Sequence, residues 1–295
     1  MSGRRRNLAR LELVGSGLSF GLMAVLARWL SRPPGGFTAG QLSVVRFVVG
    51  ALVSLVAFRL RPGLYRPRNI RLLVSRGVSG GVVVVLYFWA LSRIPAGEAG
   101  MIYNLFPVIA TGMALAMLGE RPAPQLWLAV SLATAGVLLA LGNGTLRIGL
   151  GLGEASALGA ALFAAVSANV IRAMRGTDNA PTIFFFFCLA GLPVVLPFAL
   201  DAWPGGVTAW AVAVAMALAA FAAQVLMTEA YGTLSVGEAA AWLQLTPLAQ
   251  YLLAALLLGE RATAAGLVGV LVSVAGVAWA TVQGARARAP AAPPP

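Results

Sequence analysis

Apolar residues run through this chain in ten long blocks, at 12–30, 40–58, 72–92, 96–118, 124–142, 154–174, 181–200, 206–230, 237–258 and 263–283. About 20 residues of helix cross the hydrocarbon of a bilayer, so each block predicts one membrane-spanning helix. Short connections carrying arginine, glycine and proline separate the blocks, which predicts one compact bundle.

Composition agrees with the pattern. Of the 295 residues, 60% are hydrophobic and 10% charged, and the mean hydropathy is +0.88. A soluble domain carries roughly 45–50% apolar and about 25% charged residues. The net charge is +12, yet no basic face with interleaved aromatics appears, so nucleic acid is not an expected partner. Every cation is an arginine, and these cluster at the ends of the blocks. One side collects Arg4, Arg5, Arg6, Arg10, Arg59, Arg61, Arg66, Arg68, Arg71, Arg76, Arg121, Arg172, Arg175, Arg286 and Arg288. The other receives Arg28, Arg32, Arg93, Arg147 and Arg261. By the positive-inside rule the first side is cytoplasmic and holds both termini, as an even number of spans requires. The location expected is the inner membrane.

Absent residue types exclude chemistry. Without lysine there is no Walker-type phosphate loop and no Schiff base. Without histidine there is no Ser-His-Asp triad and no histidine metal site. Cys188 lies alone in the apolar run Phe184–Leu192 and reads as a small apolar residue. No catalytic residue, metal or cofactor is expected, and the chain does not read as an enzyme.

Self-similarity appears at an offset of 140 residues. Tyr87–Ala140 aligns without a gap to Met227–Ala280, with 16 identities in 54 positions. The shared landmarks are Gly97-Glu98-Ala99 with Gly237-Glu238-Ala239, and Pro107 with Pro247. They continue with Gly119-Glu120-Arg121 against Gly259-Glu260-Arg261, and Ala135-Gly136-Val137 against Ala275-Gly276-Val277. The chain divides into an N-terminal tail (1–11), a first five-helix repeat (12–142), a second (154–283) and a Pro/Ala-rich disordered tail (284–295), both tails cytoplasmic. Five is odd, so the second repeat starts from the opposite face. Two such inverted units around a central cavity are the usual frame of alternating access.

Ten spans as five plus five, with GE opening spans four and nine and GER following each, resemble the drug/metabolite transporter superfamily, in particular its EamA-type exporters, with the aromatic amino-acid exporters a possible specific match. The resemblance covers nearly the whole chain. It implies a basket-like bundle with a central cavity lined by spans one to four and six to nine, and spans five and ten placed peripherally.

Candidate site residues come from the repeated landmarks. Pro107 and Pro247 each lie near mid-span, where proline removes a backbone hydrogen bond and frees the carbonyls of Tyr103 and Leu243. Helices interrupted at matching places in two halves point to a transporter's binding site. Asn104, Pro107 and Thr111 correspond under the repeat to Gln244, Pro247 and Tyr251 and predict cavity lining. Tyr87, Trp89, Tyr103, Asn169, Gln224 and Trp242 join them, with Ser167 and Tyr231 as further polar groups. Arg46 lies about two turns into span two and Glu229 near the end of span eight; with Glu98 and Glu238 they are the gating or coupling candidates. Against this stands a structural reading: polar groups brace helices, and Glu98, Glu238, Glu120 and Glu260 cap helices or turns.

The expected function is export of a small amphipathic metabolite, an amino acid foremost, with a proton as candidate coupling ion, membrane lipids as surroundings and a monomer as the working unit. A drug or toxic-compound carrier is an alternative within the superfamily. So is a nucleotide-sugar or sugar-phosphate carrier, but with only Arg46 and mouth arginines such as Arg28 available, a strongly anionic substrate is disfavoured. Channels, which need charged rings or continuous polarity, and membrane enzymes fit poorly.

Overall fold

In the structure, a computed structural model, the described residues are 3–31, 33, 36–91, 93–94, 102–142, 151–259 and 263–286. They form helices and turns, with no strand among them. Eight helical segments are long and apolar enough to cross a membrane, and two shorter apolar helices, Phe106–Leu118 and Pro124–Ala140, accompany them. In order the helices are α1 (Gly3–Leu30), α2 (Ala39–Leu60), α3 (Ile70–Leu91), α4 (Phe106–Leu118), α5 (Pro124–Gly142), α6 (Leu152–Met174), α7 (Ala180–Val195), α8 (Val207–Tyr231), α9 (Val236–Leu243), α10 (Leu245–Leu258) and α11 (Ala264–Arg286).

Two departures from the sequence expectation matter. The arginine-rich start is not a separate tail: α1 begins at Gly3, and Ala9 and Leu13 are buried in the core. The ninth span is two helices, α9 and α10, meeting at Gln244. The helix ends follow from local chemistry. Thr38 accepts from the Gln41 amide, Asn179 from Thr182 and Ser235 from Glu238, each capping a helix N-terminus. Gly119 and Gly259, 140 residues apart, both adopt φ 66° and end α4 and α10, a left-handed conformation that glycine tolerates without steric cost.

Lipid offers no hydrophobic drive between helices, so close backbone approach through small residues holds such bundles together. The seam between α5 and α11 shows this most clearly. A Cβ on Gly136 would stand 2.3 Å from the Ser273 nitrogen, one on Gly276 2.4 Å from the Ala133 nitrogen, and one on Gly269 2.5 Å from the Ala140 nitrogen. As residue numbers rise along α5 they fall along α11, so the two helices run antiparallel. The contacts also exchange under the 140-residue offset: Gly136 is to Ser273 as Gly276 is to Ala133. The α2–α7 pair is antiparallel too, with Gly40 against Phe198, Phe47 against Gly191, and Gly50 against Phe184 and Cys188.

Crossed pairs complete the bundle. α1 packs on α8 and α10, while α3 packs on α6 and α7. Connections dock reciprocally as well. The segment after α2 places the Leu64 carbonyl where the Asn179 amide and the Thr182 hydroxyl donate to it, at 2.8 and 3.0 Å. The segment after α7 places the Asp201 and Ala202 carbonyls where the Gln41 amide donates, both at 3.1 Å. Each half thus steadies the start of a helix in the other.

Candidate substrate site

The chain breaks twice at places that correspond under the 140-residue offset. Ile102 and Tyr103 are helical, Asn104 and Leu105 turn, and α4 resumes with Pro107 in its first turn. In the second half Gln244 interrupts the chain and Pro247 lies in the first turn of α10. A first-turn position suits proline, whose missing N–H would have no partner there anyway. α1 covers the second break: Gly17 and Gly21 let it approach the backbone around Leu245–Gln250, where a Cβ on Gly21 would stand 2.9 Å from the Gln250 nitrogen.

Several of the predicted lining residues hold helices to one another. The Gln244 amide donates to the Thr134 hydroxyl on α5 at 2.6 Å. The Asn169 amide donates to the carbonyls of Ala110 and Ala165, joining α6 to α4. Thr111 is fully buried and donates to the Pro107 carbonyl. The Tyr251 hydroxyl accepts from the Thr263 amide ahead of α11. Ser79 and Ser167 share a hydrogen bond of 2.9 Å between α3 and α6. Trp242 is half-buried against the core cluster that contains Tyr231. Trp89 faces a cavity of 370 Å³ formed by the starts and ends of α2, α3 and α7, together with Ser43, Val85 and Phe198.

The acidic candidates serve one end of the bundle, where α1 begins and α11 finishes. Glu238 is buried and accepts from Arg6 at 2.6 Å and Arg10 at 2.9 Å, while Arg10 also reaches the Thr281 carbonyl. Glu229 pairs with Arg175 at 2.5 Å. Glu120 accepts from Arg172 and from the Val236 amide, so this turn residue also caps α9. Glu98, with Glu260 and Arg261, lies outside the described residues.

The centre holds a cluster that the sequence showed only in part. Arg46 on α2 approaches the rings of Phe20 and Phe187, at 5.9 and 5.8 Å. Arg76 on α3 lies over the same Phe187 ring at 4.2 Å and donates to the Gln224 side-chain oxygen at 3.4 Å. Arg76 is only 5% exposed, and Arg46 retains partial exposure. The Nε of each is buried without a hydrogen-bond partner. Beside them the Tyr87 and Tyr103 rings meet at 5.0 Å, tilted by 52°, and Tyr103 meets Phe106 at 5.5 Å. Arg76 had read as one of the cytoplasmic-side arginines. Its depth was legible, however, as was the glycine four residues on that gives it room: a Cβ at Gly80 would meet an Arg76 terminal nitrogen at 2.5 Å.

The model of the EamA-like transporter family matches residues 9–142 and again residues 151–282. The chain belongs to the EamA-like transporter family. This member is 25% identical over 239 residues to the pseudopaline exporter CntI of Pseudomonas aeruginosa, covering 75% of this chain and 80% of that protein. It is 31% identical over 125 residues to an uncharacterized transporter of the same organism, covering 40% and 41% of the two chains. A solved crystal structure, 21% identical, superposes with a TM-score of 0.80 over 95% of this chain and 99% of its own. Family membership makes the chain a membrane transporter.

Proposed function

We propose that this EamA-like transporter exports a small amphipathic metabolite, an amino acid foremost, across a prokaryotic inner membrane by alternating access between two inverted halves. The observation that carries the reading is the matched interruption at Asn104–Leu105 and Gln244 in a chain whose two halves each match the transporter family model. Inversion is supported by corresponding helices, α2 with α7 and α5 with α11, packing antiparallel. Export is supported by the named function of the CntI relative. The arginine bias places both termini in the cytoplasm, a monomer suffices, and a proton is the candidate coupling ion.

Counterflow of labelled amino acids in proteoliposomes tests this. Flux of at least one neutral or aromatic amino acid above protein-free vesicles is expected. No flux across a broad panel, from protein shown to be folded, overturns the amino-acid reading. Within that assay, Asn104→Leu is expected to reduce flux severalfold at unchanged expression. Gln244→Leu should also lower the melting temperature, because its amide braces Thr134. Wild-type flux in both variants moves the pocket away from the breaks.

A further inference from the structure

We propose that Arg46 and Arg76 form an anion site at the centre of the bundle, and that the substrate is an organic acid whose carboxylate seats between them while its apolar body meets the aromatic walls. The inference rests on the transport reading and narrows its substrate class from zwitterions toward net anions.

Burying an arginine in a membrane interior is costly, and such residues normally find a counter-charge. Each of the acidic side chains paired above sits with other arginines, at the end of the bundle where α1 begins. Among the described residues neither Arg46 nor Arg76 has a carboxylate partner. Both guanidiniums also approach the same Phe187 ring, which brings like charge near like charge. What they have instead is one shared phenyl face and one amide oxygen. A cation over an aromatic ring recovers less than a bidentate carboxylate offers.

Snorkelling does not account for Arg76. It lies six residues into α3, about 9 Å from the helix start at 1.5 Å per residue. Its terminal nitrogen nonetheless lies against Gly80, one turn deeper, rather than reaching back toward the start. Side chains on a helix lean toward its N-terminus by default, so this guanidinium is turned against its easy route to water. Arg46 enters α2 from the opposite end of the bundle, and the two cations converge on Phe187.

The chemistry of the surroundings selects among anions. Phe20, Phe187, Tyr87 and Tyr103 suit an aromatic or apolar body. Among the described residues no acidic side chain stands beside the pair to receive an ammonium, so a free acid fits better than an amino acid of equal shape. Of the two cations, Arg76 donates to a neutral amide oxygen, which a carboxylate replaces readily.

The test uses the full chain in lipid nanodiscs, with thermal stabilisation measured against phenylacetate, phenylacetamide, phenylalanine and inorganic phosphate. Phenylacetate is expected to raise the melting temperature of the wild type. Phenylacetamide, of the same shape but uncharged, should not, and phenylalanine should act only at higher concentration. Arg46→Gln and Arg76→Gln should each weaken the phenylacetate response about tenfold or more, with Arg76→Lys intermediate. Their ligand-free melting temperatures should hold or rise, because an uncompensated charge has been removed; a brace would melt lower. Gly80→Ala keeps both cations but crowds Arg76 and the Phe187 ring beneath it, at 2.5 and 2.4 Å, and should lose the response as well. Equal protection by acid and amide, or an unchanged acid response in both glutamine variants, overturns the site. Stronger protection by phosphate overturns the carboxylate assignment. Failure of amino-acid flux with acid protection intact would sink the amino-acid reading and leave the site standing.

Discussion

Gly276→Ala is expected to lower the melting temperature of the purified protein by roughly 5–10 °C, an effect out of proportion to one methyl group. The added carbon would stand 2.4 Å from the Ala133 nitrogen and 2.9 Å from the Ala129 oxygen. These are backbone atoms, so no rotamer change can make room. The helices must separate, and the close contacts along α5 and α11 loosen together. Gly136→Ala should behave alike, since its Cβ would meet the Ser273 nitrogen at 2.3 Å. Gly205→Ala, with nothing within 4 Å of its Cβ, serves as the control and should change little. Melting in detergent, followed by tryptophan fluorescence, decides the matter. Equal melting of Gly276→Ala and the control would mean that the seam does not hold the two halves together.

Glu238→Ala is expected to be the most damaging change among the charged residues, costing about 3 kcal/mol. Glu238 is 2% exposed, and Arg6 and Arg10, at 12% and 15%, both reach it. Its removal leaves two cations facing each other at the start of α9, where the helix dipole is also positive. Arg6→Ala or Arg10→Ala alone should cost less, because the other arginine still neutralises the carboxylate. Adding both arginine changes to Glu238→Ala should cost little more than Glu238→Ala alone, the non-additivity expected of one coupled cluster. A fully additive series, read by melting temperature, would show a solvated rim of independent charges instead.

Much of this architecture was legible because bilayers impose a coarse pattern. Span positions followed from apolar run length, and the broken helices followed from Pro107 and Pro247 standing in one register. The direction of side chains was harder to read. Asn104 and Gln244 are equivalent in sequence, yet the Gln244 amide turns to α5 because Thr134 offers it a hydroxyl there. No single-chain periodicity reveals that partner. Likewise Asn169 and Tyr251 carry the right polarity at the right depth, and both are engaged by backbone groups of neighbouring helices. Arg76 was counted with the cytoplasmic-side arginines because it lies near the start of its span, whereas the space left at Gly80 decides which way the side chain turns. The start of α1 looked like a tail because arginines dominate it; their acid lies more than 200 residues away in the chain.

The repeat governs the backbone but not the charge. Arg46 and Arg76 both belong to the first half, and the α8 position 140 residues after Arg76 is the buried Met216. Exchanging the conformations of two such halves does not return the same electrostatic field. Under the proposed alternating access, the inward- and outward-facing states of the empty carrier are expected to differ in energy, because both cations lie in one half.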